Sequence, residues 1–374
     1  MKILLTHPFC WPYLRRGTER NIENLFNYLA ATGRHDVTLL STKPAHSETL
    51  AGDLGSKRLR DARWTAELGL GRVQPEHVFG VTAYWDMRTI EADAVHSFFY
   101  TDGLAASNLK HRKHWRTVLQ LNGIAIPGVS CRRIPPEAWL LRKAIETADE
   151  FVVCSSFIAD QAARHFGRRA RVLAPPIQIR EWPVGKQDRS GPPVILAVGD
   201  FDVRRKGIRV LLKAFEQFHS LHPGAVLNIS GRLTLSSIQP VLDAMSAASR
   251  QAVRPLGLGK PGDLPALYQS ANVLVLPAMW EPSGTVMFEA LACGTPVVAA
   301  RHGGLPEFLS PEVGVLFDPQ TEGEETMNAT GLCEAIESGL QLSYRPGIRE
   351  ACREHAQRYS TESIGPVWEQ IYGG

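Results

Sequence analysis

The chain has 374 residues, of which 44% are apolar and 21% charged. This length accommodates two domains of ordinary size, and the composition is typical of globular proteins. A net charge of +3 is too small to indicate nucleic-acid binding. No apolar run approaches the roughly 18 residues that a membrane span needs. The six cysteines are scattered and form no Cys-x-x-Cys pair, which favours reduced thiols over disulfides or a zinc site.

The first half of the chain predicts a Rossmann-like sheet. Residues 2–6 form a short apolar strand, a loop rich in Pro, Gly and aromatic residues follows, and residues 21–31 have the apolar spacing of a helix. A strand at residues 37–40 completes a βαβ unit, although a Gly-x-Gly-x-x-Gly fingerprint is absent. We interpret residues 44–92 as a variable insertion with one helix. Further strands are predicted at residues 94–98, 117–121, 151–154 and 171–173.

Charge is distributed unevenly along the chain. Residues 1–185 carry 25 Lys+Arg and 18 Asp+Glu, a net charge of +7, while the remainder carries 16 and 20, a net charge of −4. The first half therefore suits an anionic partner better than the second. The basic run at residues 110–116, which contains Trp115, fits either a contact with a membrane surface or a solvated helix end. We interpret it as a solvated helix end, so peripheral membrane contact is not favoured.

The second half has a row of small or charged residues directly after its strands. A Pro- and charge-rich stretch at residues 174–193 predicts a linker, and strands resume at residue 193. In open α/β sheets, ligands bind beyond the carboxyl ends of the strands. The strand ends therefore predict one ligand cleft in the second domain, at Gly199, Gly231 with Arg232, Gly257, Glu281, and Gly303.

The most informative stretch is residues 271–300. It predicts a buried strand at 273–276, a loop Glu281-Pro-Ser-Gly284, a helix at 285–292 and a second strand at 297–300. Glu281 lies in the loop and Glu289 about one turn inside the helix. The N–H groups at a helix start bind anions, while carboxylates accept hydrogen bonds from sugar hydroxyls. The pair therefore suits a ligand with phosphates and hydroxyls, such as a nucleotide-sugar, although an isolated Glu is more often an exposed helical residue.

This stretch resembles the signature of the family-four retaining glycosyltransferases. The matching residues are Glu281-Pro-Ser-Gly284 and Glu289-Ala-Leu-Ala-Cys-Gly-Thr-Pro-Val-Val298, with seven residues between the two glutamates. The resemblance is strong over residues 193–317 and fainter over residues 1–175. It implies the GT-B fold, an α/β architecture of two Rossmann-like domains that face a central cleft. The expected domains are an acceptor-side domain at 1–180 and a nucleotide-sugar domain at 193–356, with the last helix, about 357–374, packed back on the first domain.

The resemblance also implies roles for individual residues. Lys206 would bind the donor diphosphate, Glu289 the ribose hydroxyls and Glu281 the donor sugar, while the N–H groups of Gly284 and Thr285 would meet phosphate or sugar oxygens. We place Lys206, Glu281 and Asn122 at the catalytic centre. The remaining expected donor contacts are Arg205, Arg232, Gly303 and Gly17. Gly17 lies in the first loop, where the family commonly has Gly-Gly-x-Glu and this chain has Gly17 and Glu19.

The implied activity is transfer of a sugar from a UDP-, GDP- or other nucleotide-sugar to an acceptor hydroxyl, with retention of anomeric configuration. No cofactor and no obligate metal are implied, and without a signal peptide we expect a cytoplasmic protein. We find no credible enzyme nucleophile, so attack and departure on the same face of the sugar are implied. The protein would stabilise the leaving diphosphate and orient the acceptor.

Two positions depart from the family pattern. Asp200 stands where the family usually has Arg, and we expect Arg204 or Arg205 to neutralise it. Asn122 stands where His is usual, and an amide cannot carry a proton at neutral pH. These departures leave two alternatives open: a non-catalytic nucleotide-sugar-binding protein, and a nucleotide-sugar 2-epimerase of the same fold.

Overall fold

The computed structural model describes residues 1–11, 13–14, 16–43, 57–61, 75–123, 135–185, 191–320 and 328–373. The chain forms two compact units: unit 1 comprises Met1–Pro176 with Thr361–Gly374, and unit 2 comprises Ile177–Ser360. Much of the interpreted insertion at 44–92 lies outside the described residues.

Unit 1 contains a seven-stranded parallel sheet in the order β3-β2-β1-β4-β5-β6-β7. Its strands are β1 Lys2–Phe9, β2 Asp36–Lys43, β3 Lys57–Asp61, β4 Ala94–Ser97, β5 Arg116–Leu121, β6 Glu150–Val153 and β7 Arg171–Val172. The helices of the first 176 residues are α1 Gly17–Ala31, α2 Pro75–Met87, α3 Tyr100–Lys113, α4 Pro135–Thr147 and α5 Ser156–Phe166. The central strands are apolar on both faces, as strands covered by helices on two sides must be.

Unit 2 contains a six-stranded parallel sheet in the order β10-β9-β8-β11-β12-β13. Its strands are β8 Val194–Asp200, β9 Val226–Arg232, β10 Val253–Gly257, β11 Val273–Leu276, β12 Val297–Ala300 and β13 Gly314–Phe317. Its helices are α6 Ile208–Leu221, α7 Leu235–Ala244, α8 Ala247–Ala252, α9 Leu264–Ser270, α10 Thr285–Ala292, α11 Leu305–Phe308, α12 Ala329–Ser343 and α13 Ile348–Gln357. Two parallel, helix-covered sheets are the Rossmann-like pair that the sequence predicts.

The last helix, α14 (Thr361–Gly373), belongs to unit 1. Its Trp368 and Tyr372 are buried in the same apolar cluster as Leu25 of α1. Gly365 lies so close to the ring of Tyr28 that any side chain would collide with it. Close packing at a glycine and burial of two aromatic side chains fix α14 against α1.

Several local predictions were wrong. Helix α1 begins at Gly17 rather than at residue 21, so part of the expected first loop is helical. Helices α7 and α8 were not predicted, because Pro240 and several serines obscure the apolar spacing in that segment.

The basic run at 110–116 is the end of a helix followed by a strand. Residues Lys110 to Lys113 form the last turn of α3, where cations interact favourably with the helix dipole. Trp115 is buried and its indole N–H donates to the carbonyl of Ala106 at 3.1 Å, so this tryptophan cannot reach a membrane surface. No helix in the described ranges has the length and apolarity to cross a membrane.

Candidate functional site

Two cations converge on one carboxylate in unit 2. Lys206 Nζ lies 2.7 Å from Glu281 Oε2, and Arg205 Nη1 lies 2.8 Å from the same oxygen. Both cations belong to a 3-10 turn, Arg204–Lys206, that follows β8, whereas Glu281 follows β11, the neighbouring strand. The parallel strands end at the same edge of the sheet, and this brings together residues that are 75 positions apart.

The turn that carries the cations depends on a glycine. Gly207 has φ of +71°, and a Cβ there would collide with the carbonyl of Pro277 at the end of β11. Only glycine combines this φ with so close an approach. The backbone N–H of Met279 donates to the carbonyl of Arg205 at 2.7 Å. The loops after β8 and β11 are therefore joined through their backbones as well as through side chains.

Trp280 holds the Arg205 side chain in place. The guanidinium lies over the indole ring, 4.7 Å from its centroid, and Nη1 also donates to the Trp280 carbonyl at 3.0 Å. An Arg stacked on an aromatic ring gains cation–π attraction while its other N–H groups remain directed outward. The sequence analysis did not select Trp280; its position directly before Glu281 was the available signal.

Glu281 is fixed through its backbone too. Its carbonyl accepts from the N–H of Gly304 at 2.8 Å, and Gly303, with φ of +68°, packs so closely on the Glu281 backbone that a side chain would collide with it. The Glu281 side chain is only 14% exposed. Burial alone would raise the pKa of this carboxyl group, but the charges of Lys206 and Arg205 outweigh burial and hold its pKa below the usual range.

Helix α10 starts beside Glu281. Gly284 precedes it with φ of +66°, and Thr285 is its first residue. The first N–H groups of any helix have no partner within the helix, and the structure puts them beside Glu281. That they bind an anion stays a prediction. The predicted bounds of β11, α10 and β12 agree with the structure.

Glu289 is more buried than the sequence suggests. It is 7% exposed, and its Oε2 accepts a hydrogen bond from the Tyr268 hydroxyl at 2.7 Å. Tyr268 is fully buried, and both burial and the Glu289 charge raise the pKa of its hydroxyl well above the usual value. The tyrosine therefore stays a hydrogen-bond donor that orients Glu289. Sequence reasoning missed it because the two residues meet only through the packing of α9 on α10.

Asp200 pairs with a cation other than those expected. Arg232 Nη1 lies 3.6 Å from Asp200 Oδ2, with the two side chains 57% and 37% exposed. The expected partner Arg205 binds Glu281 instead. Asp200 and Arg232 are direct neighbours in the register of β8 and β9, which explains the pairing. Asp200 Oδ1 is buried and makes no hydrogen bond to a described residue.

The two remaining predicted residues lie in unit 1. Gly17 is the first residue of α1. Asn122 follows β5, and its side-chain oxygen accepts from Gln120 Nε2 at 2.7 Å. The structure thus brings Arg205, Lys206, Glu281 and Gly303 into one group and assigns Gly17 and Asn122 to the other unit.

The described cysteines are buried and form no disulfide: Cys10, Cys154, Cys293, Cys333 and Cys352. Among the described residues, no group of three or more His, Cys, Asp or Glu side chains is arranged to hold a metal ion.

Comparison with known proteins identifies the family. The model of Glycosyltransferase Family 4 matches residues 15–181, and the model of Glycosyl transferases group 1 matches residues 178–341. Glycogen synthase of Mycobacterium tuberculosis is 26% identical over 406 residues, which cover 100% of this chain and 94% of that protein. D-inositol 3-phosphate glycosyltransferase of Saccharomonospora viridis is 29% identical over 252 residues, covering 62% of this chain and 56% of that protein.

Solved structures share the fold over the whole chain. Sucrose-phosphate synthase of Thermosynechococcus elongatus superposes with a TM-score of 0.79 at 21% identity, covering 100% of this chain and 99% of that one. Anabaena HepE, solved with UDP-glucose, gives 0.72 at 18% identity and covers both chains completely. Together with the family matches, these similarities show that the chain is a glycosyltransferase of the GT-B fold and belongs to the family 4 and group 1 glycosyltransferases.

Proposed function

We propose that this glycosyltransferase uses a nucleotide-sugar donor whose diphosphate binds to Lys206 and Arg205. The observation that carries the proposal is the convergence of these two cations on Glu281 beside the start of α10. A lysine ammonium and a guanidinium are strong phosphate ligands, and helix N–H groups can bind the same anion. That HepE was solved with UDP and with UDP-glucose supports this class of donor.

The further donor contacts follow from the positions of the other residues. Glu281 would accept hydrogen bonds from the donor sugar, because its carboxylate stands beside the cations that hold the diphosphate. Glu289, oriented by Tyr268, would accept from the ribose hydroxyls. Arg232 would add positive charge at the same sheet edge. Gly17 and Asn122 of unit 1 complete the proposed set of donor and catalytic residues.

We further propose that transfer to an acceptor hydroxyl retains the anomeric configuration. The cations would stabilise the charge that develops on the leaving diphosphate, and the acceptor hydroxyl would attack from the face that the diphosphate leaves. This route requires no covalent intermediate on the enzyme. The ionised carboxylate proposed beside the donor sugar is Glu281, and its Oε2 is already engaged by Lys206 and Arg205, so we do not assign it as a nucleophile.

The first experiment is a titration of UDP, GDP and ADP into the wild type and into Lys206→Ala, followed by turnover assays with sugar donors of the nucleotide that binds. Binding that depends on Lys206, together with a product whose anomeric proton coupling matches that of the donor, is the expected result. A nucleotide that binds without turnover of any donor, even by slow hydrolysis, would instead favour a binding protein. A product of inverted configuration would contradict retention.

A further inference from the structure

Glu281 acts as an internal counter-anion for the two cations. A single oxygen, Oε2, accepts from both cations of the proposed diphosphate site, at 2.7 and 2.8 Å. Any phosphate that binds Lys206 and Arg205 must therefore approach the charge of this carboxylate, in surroundings where only 14% of the Glu281 side chain is exposed. Interactions between charges are stronger in such a partly buried setting than in water.

Neither partner of this contact can easily move away. The Arg205 guanidinium is held over the Trp280 ring and donates to the Trp280 carbonyl. The Glu281 backbone is held by the N–H of Gly304 and by its close contact with Gly303. The carboxylate and the cations therefore remain neighbours when an anion arrives, and the repulsion between Glu281 and the anion persists.

We propose that Glu281 competes with the product diphosphate for Lys206 and Arg205 and so promotes its release, while it favours the intact donor. This inference rests on the proposed function and adds a role to Glu281. The intact donor places sugar hydroxyls next to the carboxylate, and these can donate hydrogen bonds to it. The product diphosphate has lost the sugar and carries one more negative charge. Glu281 therefore repels it, and no hydrogen bonds from sugar hydroxyls offset this repulsion.

Trp280 is then a positioning residue. It keeps the guanidinium of Arg205 within reach of both Glu281 and the incoming phosphate, and it prevents Arg205 from following the diphosphate away from the carboxylate. The contact between the cations and Glu281 therefore re-forms as the product leaves.

The test is the affinity of Glu281→Gln for inorganic pyrophosphate and for UDP, GDP and ADP, measured by calorimetry. Gln keeps the size of the side chain and removes its charge, so the repulsion between neighbouring charges is gone. Pyrophosphate and the preferred nucleoside diphosphate should therefore bind about tenfold more tightly to Glu281→Gln than to wild type. The same variant should turn over donor more slowly and show stronger product inhibition. The gain in affinity should shrink at high salt, as expected for a charge effect.

Control variants separate this inference from the proposed function. Glu334→Gln makes the same charge change at an exposed position of α12 in the same unit and should leave affinity unchanged. Lys206→Ala should weaken pyrophosphate binding. In the double variant that combines Lys206→Ala with Glu281→Gln, most of the increase in affinity expected for Glu281→Gln alone should be lost. If Lys206→Ala leaves affinity unchanged, the proposed diphosphate site is wrong.

If Lys206→Ala weakens binding but Glu281→Gln does not tighten it, the competing role of Glu281 is wrong and the site stands. Glu281→Asp provides a second variant should Glu281→Gln fold poorly. It keeps the charge but withdraws it from the cations by one methylene, which weakens the competition without removing it, so pyrophosphate should bind only about twofold to threefold more tightly than to wild type. A tenfold gain in Glu281→Asp would also overturn the inference.

Discussion

The carboxyl ends of the strands differ between the two units. Unit 2 carries ionised side chains there, in the pairs Lys206–Glu281, Arg205–Glu281 and Arg232–Asp200. Unit 1 carries buried titratable groups near its strand ends and at the starts of α1 and α3, and burial shifts each of their pKa values toward the neutral form. Parallel sheets of the same kind thus carry ion-paired side chains in unit 2 and buried, neutral side chains in unit 1. The difference depends on whether a charged partner of opposite sign lies within reach.

Two buried carboxyl groups of unit 1, Asp102 and Glu19, are shifted toward their neutral form by burial. Asp102, at the start of α3, is fully buried, and its Oδ2 accepts a hydrogen bond from the hydroxyl of Thr6 in β1 at 2.5 Å. Burial raises the pKa of Asp102 to about 8. Glu19, in the first turn of α1, is 2% exposed, and burial raises its pKa to about 7. At neutral pH, Asp102 is thus mostly protonated and Glu19 is about half protonated.

Two buried histidines of unit 1, His7 and His96, are neutral for the same reason. Burial lowers the pKa of His7 to about 4 and that of His96 to about 3. His96 Nδ1 lies 2.8 Å from the hydroxyl of Tyr372 in α14. A neutral imidazole attracts no anion, whereas a paired cation can exchange its carboxylate for a phosphate. The difference in charge supports the proposed diphosphate site in unit 2, and it leads us to expect a dependence of stability on pH from unit 1.

The first expected effect, and the one that tests unit 1, is on the pH dependence of unfolding in Asp102→Asn. The pKa of Asp102 is raised from 3.8 to about 8 on folding, so its contribution to stability is complete below about pH 4 and is lost as the pH rises through 8. Asn does not titrate. Between pH 6.5 and 8 the free energy of unfolding of the variant should therefore rise relative to wild type by about 1–2 kcal/mol.

This pH window isolates Asp102 from its neighbours. Stability associated with His7 and His96 is present above pH 6.5 and is lost below it, because their pKa values are lowered on folding. Glu19 contributes in the same direction as Asp102 but only up to about pH 7. Denaturant unfolding at both pH values measures the effect, and Asp160→Asn, an exposed aspartate of α5, is the control. Parallel pH profiles for wild type and Asp102→Asn would show that Asp102 is ionised in the fold.

The second effect is on diphosphate affinity. Lys206→Ala removes one of the two cations on Glu281, and a hydrogen bond from a charged donor contributes about 1.5–3 kcal/mol. Affinity for the preferred nucleoside diphosphate should therefore fall about tenfold to a hundredfold in calorimetry. Lys213→Ala, on α6 of the same unit, makes the same charge change away from Glu281. Equal losses in both variants would mean that net charge, not the site, governs binding.

The part of the site that could be predicted from the sequence is the part that local chemistry determines. The bounds of β11, α10 and β12 follow from short apolar runs separated by Pro277, Gly284 and Gly294, and the residues that turn the chain lie within those thirty positions. Parallel strands end on the same edge of a sheet, so grouping the loops after β8 and β11 required only the order of the strands.

What could not be predicted depends on register and burial. Asp200 pairs with Arg232 because β8 and β9 align these two residues, and no local pattern encodes this alignment. Tyr268 reaches Glu289 through the packing of one helix on another. The neutral state of Asp102 depends on its complete burial by surrounding elements, whereas its sequence context resembles any acidic residue in the first turn of a helix.

The third effect concerns Glu289 and its buried partner. Glu289→Ala should lower donor affinity by about 1.5–3 kcal/mol if the carboxylate holds the ribose hydroxyls. Tyr268→Phe leaves the Glu289 carboxylate in place but removes the hydrogen bond that orients it. Donor binding should therefore weaken by about 0.5–1.5 kcal/mol. Calorimetric titration of donor, with melting temperatures of both variants, separates binding from folding. Unchanged donor affinity in Glu289→Ala would exclude the ribose contact.

The smallest effect is expected at Asp200, whose contact with Arg232 is long and partly exposed. Exposed ion pairs contribute about 0–1 kcal/mol, so Asp200→Ala should hardly change stability. It removes a negative charge from the edge where the diphosphate is proposed to bind, and it frees Arg232. Nucleoside diphosphate should therefore bind as tightly as to wild type or up to about fivefold more tightly, and the gain should fade at high salt.

A matched control exists within the same unit: Asp243 pairs with Arg250 at 3.7 Å, and the two side chains are 59% and 47% exposed. Asp243→Ala removes the same charge from a similar pair on α7, so a gain confined to Asp200→Ala would assign the effect to the sheet edge. Weaker diphosphate binding by Asp200→Ala would mean instead that its carboxylate positions Arg232 or binds the donor. Repeating the titration with a chelator tests whether Asp200 acts by holding a divalent cation. If it does, the diphosphate affinity of the wild type should fall when the chelator is added.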